Sequence, residues 1–94
     1  MKRFTDKVVI VTGAGSGIGW ATAVAFAKAG ASVTVVDIDL KKAKQTAAEI
    51  NGIGATALAL QADVAEENDW KEVVKQVVDT FGRVNVLFLS LIHI

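Results

Sequence analysis

Apolar and polar positions follow two alternating periods along this chain, and each change of period marks an element boundary. Residues 7–11, Lys-Val-Val-Ile-Val, predict a strand covered on both faces, because an unbroken β-branched run has no solvent side. Residues 12–19 are glycine-rich. A helical pattern follows at once, with Ile18, Ala21, Thr22, Ala25, Phe26 and Ala29 at helical spacing, Lys28 in the last turn and Gly30 just past its end. Residues 32–36 predict a second strand, ended by Asp37. Asp39 then caps a helix whose inner face is Leu40, Ala43, Ala47 and Ile50, and Gly52 and Gly54 break it. Residues 55–60 predict a weaker third strand. A third helix starts near Glu66, with a buried stripe of Trp70, Val73, Val74, Val77 and Phe81 and acidic residues toward its first turn, where the dipole favours them. Gly82 closes it, and residues 84–88 begin a fourth strand. The order is β-α-β-α-β-α-β. Strands joined by helical crossovers run parallel, and the crossovers are right-handed. The expected class is therefore α/β, the N-terminal half of a doubly wound parallel sheet, with strand order 3-2-1-4.

Composition narrows the function classes. The chain has 94 residues, of which 52% are hydrophobic and 21% charged, a balance that suits part of a larger core better than a self-sufficient small domain. Formal net charge is zero, so no basic surface argues for nucleic acid or an anionic membrane. The Lys41, Lys42 and Lys44 cluster reads as a solvated helix face. With no cysteine and one histidine, thiolate and histidine metal sites are not expected. No targeting segment is visible, because the apolar run after Asp6 and Lys7 stops at Gly13. A soluble cytoplasmic protein is the default expectation.

The most informative segment is Thr12-Gly13-Ala14-Gly15-Ser16-Gly17-Ile18-Gly19. A strand must turn abruptly into a helix while a pyrophosphate approaches the backbone. Side chains would block that approach, and the turn calls for residues free to take positive φ. The helix N-terminus then offers unpaired N–H groups and the positive end of its dipole. A bare glycine pattern is weak, but here a strand precedes it, a helix follows and an acid ends the next strand. The bland alternative is a glycine-rich turn without ligand. A P-loop is excluded, since no lysine occurs in the loop, and the strict G-x-G-x-x-G spacing fails at Ile18 or Trp20. What fits is T-G-x-x-x-G-x-G.

Asp37 lies 18 residues beyond Gly19. At the end of the second strand its carboxylate accepts from the adenosine ribose hydroxyls and repels a 2′-phosphate. Ile38 follows, and Ala14 and Ser16 fill the loop without a cation, so NAD is favoured over NADP. The bland alternative is a solvated strand-end acid, or a cap shared with Asp39.

These motifs resemble the short-chain dehydrogenase/reductase family, in its short single-domain form, and the likeness runs from about Phe4 to Phe88. Its landmarks are Lys-Val-Val-Ile-Val-Thr-Gly at the first strand, Asp37, Asp63-Val64 after the third strand and Phe81-Gly82-Arg83 before the fourth. The extended subfamily fits less well, because Ser16 stands where its T-G-x-x-G-x-x-G spacing wants glycine. The resemblance implies a Rossmann fold and hydride transfer between a nicotinamide cofactor and a small-molecule alcohol or carbonyl. It implies a homo-oligomeric parent, dimer or tetramer. The cofactor-binding positions it implies are Gly13, Gly15, Ser16, Gly17, Ile18, Gly19, Asp37, Ile38, Asp63 and Val64, with Asp63 meeting the adenine amino group and Val64 its ring. For Asp63, a plain turn aspartate is the competing reading. Thr12 is expected to tie the loop to neighbouring backbone, its partner in relatives lying after the fourth strand. Trp20 is expected to pack against a subunit or a later helix, more than over the cofactor.

The family's reaction needs a proton donor poised near neutral pH, which it supplies from a serine and a Tyr-x-x-x-Lys pair beyond an Asn-Asn-Ala-Gly segment. This chain contains no tyrosine and no Asn-Asn-Ala-Gly, so no catalytic residue is assigned in it. Residues 1–88 thus read as an incomplete NAD(P)-binding domain of a larger oxidoreductase. After Phe88 the family pattern stops. Translating CTG TCT CTT ATA CAC ATC, the transposase mosaic end used in sequencing-library preparation, gives Leu89-Ser90-Leu91-Ile92-His93-Ile94 in that order, and the bland alternative is a real apolar continuation of the fourth strand. Residues 89–94 are expected to be a non-native tail, which gives His93 no catalytic weight. Two other readings stand beside the enzyme: a non-catalytic nucleotide-binding module and a degenerate fragment.

Overall fold

The computed structural model describes residues 4–15 and 17–89. Its elements are β1 (Val8–Thr12), α1 (Gly17–Lys28), β2 (Ser32–Asp37), α2 (Leu40–Gly52), β3 (Thr56–Gln61), α3 (Glu67–Phe81) and β4 (Val86–Leu89). The four strands form one parallel sheet in the order β3-β2-β1-β4. The chain steps outward from β1 through β2 to β3, then returns to the other side of β1. That reversal puts the C-terminal end of β1 at a topological switch point, where doubly wound sheets bind ligands.

The unbroken valine runs of β1 and β2 follow from burial on both faces. Val9, Val11, Val33 and Val35 share one core with Ala23 and Ala27 of α1 and Ala43, Ala47 and Ile50 of α2. Val8, Ile10 and Val36 share the opposite core with Val73 and Val77 of α3. Trp70 and Phe81 pack against that second core half-buried, as the helical stripe predicts.

The helix boundaries have visible causes. The Asp39 carboxylate accepts the amides of Lys41 and Lys42 at 3.0 and 3.4 Å, capping α2. Gly82 takes φ +85 and donates its amide to the Val78 carbonyl at 2.7 Å, closing α3. At β4 the start shifts two residues from the expected position. Asn85 accepts the Val8 amide on its side chain at 2.8 Å and donates its own amide to the Val8 carbonyl at 2.9 Å, so the strand proper begins at Val86. Leu89, the first residue of the expected tail, pairs with Thr12, while residues 90–94 lie outside the described residues.

The phase of α1 departs from the expected stripe. Gly19, Ala23 and Ala27 are buried, whereas Ile18, Ala21 and Ala25 are exposed. The helix is apolar around most of its circumference, so periodicity alone does not orient it. The close approach at Gly19, described below, sets the rotation instead.

Thr34 is fully buried in the middle of β2, between Ile10 and Leu58, and its hydroxyl has no hydrogen-bond partner among the described residues. An unpaired buried hydroxyl carries a desolvation cost that a methyl of the same shape avoids. Thr34→Val in the full-length protein should therefore raise stability by about 1 kcal/mol, read as a higher urea midpoint with an unchanged slope. A lower midpoint would contradict the assignment.

Candidate dinucleotide site

The loop between β1 and α1 works by removing side chains from places that backbone occupies. A Cβ on Gly19 would overlap the carbonyl oxygen of Gly13 and crowd Ala14, so glycine alone lets the first turn of α1 sit against the end of β1. A Cβ on Gly15 would lie 2.6 Å from the Asp37 carboxylate and 2.5 Å from the Lys42 Cβ. Gly13 and Gly17 both take φ +64, the left-handed region that other residues avoid. The loop therefore delivers the chain into a helix whose first-turn amides have no intrahelical acceptor and point along a positive dipole.

Asp37 ends β2 beside this loop. Its Oδ2 accepts the Gly15 amide at 2.8 Å and its Oδ1 accepts the Asp39 amide at 2.9 Å. Each carboxylate oxygen has a second lone pair, so both retain acceptor capacity. Ile38 is 66% exposed directly after it and places no cation there. Its carbonyl is held by the Gln61 side chain at 3.1 Å, from the end of the neighbouring strand β3.

The expected positions thus separate into groups. Gly13, Gly15, Gly17, Gly19 and Asp37 come together at the C-terminal ends of β1 and β2. Ile18, 74% exposed in the first turn of α1, and Ile38 flank them with free apolar surface. Ser16 lies outside the described residues. Asp63 follows β3, where its Oδ1 accepts the Ala65 amide at 3.0 Å and its own amide donates to Asp69 at 3.0 Å. One oxygen of Asp63 is therefore engaged in a local turn, as the plainer reading held. Val64 packs half-buried against the α3-side core.

One loop contact escapes the sequence reading, and one expected contact falls outside the described residues. Thr12 is buried, its hydroxyl has no partner among the described residues, and the partner expected after β4 lies beyond them. Alternation along β1 puts it on the face of Val8 and Ile10, away from α2. Thr46 of α2 ties the loop from the other side, its hydroxyl donating to the Ala14 carbonyl at 3.0 Å. The signal for Thr46 was its position on the face of Ala43, Ala47 and Ile50, a polar residue in a buried stripe. Trp20 donates its indole N–H to Glu49 of α2 at 2.8 Å, so it bridges to a later helix. Lys41, Lys42 and Lys44 are exposed.

A parallel sheet ordered 3-2-1-4, a glycine turn into a helix N-terminus and an acid at the next strand's end define the N-terminal half of a Rossmann-type α/β fold. The sequence matches the family model described as short chain dehydrogenase over residues 7–90, and the chain belongs to that family. It is 46% identical over 84 residues to an uncharacterized oxidoreductase of Thermotoga maritima, covering 89% of this chain and 33% of that protein. It is 44% identical over 46 residues to a 3-oxoacyl-[acyl-carrier-protein] reductase of Staphylococcus epidermidis, covering 49% of this chain and 19% of the relative. Its fold superposes on a hydroxysteroid dehydrogenase from Escherichia coli with a TM-score of 0.91 at 37% identity, over 93% of this chain and 37% of that one. The chain therefore spans about a third or less of the length of the curated relatives it matches.

Proposed function

We propose that the protein containing this chain interconverts a small-molecule alcohol and a carbonyl by hydride transfer with NAD, and that residues 1–88 bind the dinucleotide. The observation that supports this most is the Asp37 carboxylate, held against the Gly15 amide at 2.8 Å beside the start of α1. In this reading the first-turn amides of Gly17, Ile18 and Gly19, with Ser16, take the pyrophosphate. The spare lone pairs of Asp37 take the adenosine ribose hydroxyls. Ile38 and Val64 flank the adenine, and the outer oxygen of Asp63 meets its amino group. Bound nicotinamide supplies the hydride chemistry; the part of this chain is to hold and orient it.

NAD is preferred over NADP because a 2′-phosphate would approach the Asp37 carboxylate, which repels it. Among the described residues no helix is long and apolar enough to cross a membrane. By family likeness the parent acts in the cytoplasm as a dimer or tetramer. The relatives named for their activity are named for different substrates, a 3-oxoacyl-[acyl-carrier-protein] and a hydroxysteroid, so the proposal extends to the alcohol/carbonyl class and no further.

The test is to incubate the full-length protein with NAD and a panel of secondary alcohols, hydroxyacyl thioesters and hydroxysteroids, following absorbance of the reduced nicotinamide. Saturable NAD reduction with at least one class is expected. NAD binding without turnover on any class would favour the non-catalytic module.

A further inference from the structure

We propose that Thr46, outside the glycine motif and on a different helix, is a positioning residue for the dinucleotide loop. The proposal rests on the reading that this loop binds a dinucleotide. Ala14 and Thr46 lie 32 residues apart in sequence, yet their hydroxyl-to-carbonyl bond is buried, with Ala14 at 0% and Thr46 at 1% exposure.

The geometry around that bond has a specific consequence. The Ala14 carbonyl and the Gly15 amide belong to one peptide unit, which is planar and rigid. Thr46 holds its carbonyl at 3.0 Å and Asp37 holds its N–H at 2.8 Å. Both polar ends of a single plane are thus gripped, from α2 on one side and from the end of β2 on the other.

Such a grip matters here because Gly13 and Gly15 flank Ala14. Glycine rotates with little steric resistance, so the motif that admits a pyrophosphate also leaves this plane easy to turn. The preceding peptide is fixed by the Ala14 amide on the Val36 carbonyl at 3.2 Å. Thr46 supplies the remaining constraint, and it points the plane so that the Gly15 N–H meets Asp37. Helix α1 begins at Gly17, two residues beyond this plane, and its first-turn amides have no intrahelical acceptor. Thr46 therefore orients the phosphate donors without touching the ligand. Preorganisation of this kind appears as affinity, because the loop's ordering cost is met before binding.

Thr46→Val in the full-length protein keeps the side chain's shape and removes its donor, leaving the Ala14 carbonyl buried and unpaired. Thr46→Ser keeps the donor. NAD affinity measured by calorimetry should fall about tenfold in the valine variant, the effect of one lost bond to a buried acceptor. The serine variant should stay within about twofold of the unsubstituted protein. Adenosine, which has no phosphate, should lose less affinity than NAD in the valine variant, read by ligand-observed NMR. Exchange of the Gly15 amide should accelerate in the valine variant alone. Unchanged NAD affinity in the valine variant would overturn the proposal, and so would equal losses of NAD and adenosine, which indicate general loosening of α2. An unsubstituted protein that binds no NAD would overturn the dinucleotide reading along with it.

Discussion

Gly19→Ala in the full-length protein should abolish measurable NAD binding and lower stability by about 3 kcal/mol or more, the upper range for overpacking. The added methyl would overlap the Gly13 carbonyl oxygen and press on the Ala14 Cα. Both are backbone atoms, so no side-chain rotamer relieves the clash. Gly13 cannot retreat easily either, because it sits at φ +64 and Ala14 is pinned by its amide to Val36 and by its carbonyl to Thr46. Separating α1 from β1 would also tilt the first-turn amides away from a common focus. Gly17→Ala provides the contrast. Nothing lies within 4 Å of a Cβ there, and the cost is only that of φ +64 for a side chain, roughly 1 kcal/mol. Urea unfolding of the two variants should rank Gly19→Ala well below Gly17→Ala. Equal midpoints would show that the close approach is not what selects glycine at position 19.

The second large effect is a reversal of cofactor preference. Asp37→Ala combined with Ile38→Arg should shift the NAD/NADP ratio of kcat/KM toward NADP by about a hundredfold or more. One change removes the carboxylate proposed to face the 2′ position, and the other places a fork-shaped cation where an exposed apolar side chain stands. The structure adds a cost to this swap. The Asp37 carboxylate also holds the Gly15 and Asp39 amides, so its loss frees one end of the loop plane and the entry to α2. The doubly substituted protein should therefore prefer NADP yet remain slower with it than the original is with NAD. It should also melt at a lower temperature. An unchanged ratio would remove Asp37 from the ribose contact, and a reversed ratio with undiminished absolute rate would remove it from loop positioning.

Much of this architecture was legible from the chain. The valine runs of β1 and β2 carry no alternation, which is what burial against α1 and α2 on one face and α3 on the other requires. Strand order followed from parallel crossovers and was met in full. The glycine spacing and Asp37 pointed to the C-terminal ends of β1 and β2, and the structure brings those residues together there. What sequence could not supply was orientation and partnership. The phase of α1 was misjudged because alanine and other apolar residues surround it, leaving the decision to one backbone contact at Gly19. Thr46 illustrates the second difficulty. Its bond to the Ala14 carbonyl joins residues 32 apart in sequence, and only the register of α2 against the sheet brings it to the loop. The Asn85 link to Val8 likewise depends on a 77-residue separation that no local pattern encodes.

The most direct test of the central claim, that this part of the molecule carries NAD at the glycine loop with Asp37 on its ribose, is calorimetric titration of the full-length protein with NAD and with NADP. The account predicts saturable binding of NAD at one site per chain and weaker binding of NADP, with the difference abolished in Asp37→Ala. Absence of heat with either dinucleotide, or tighter binding of NADP, would contradict it.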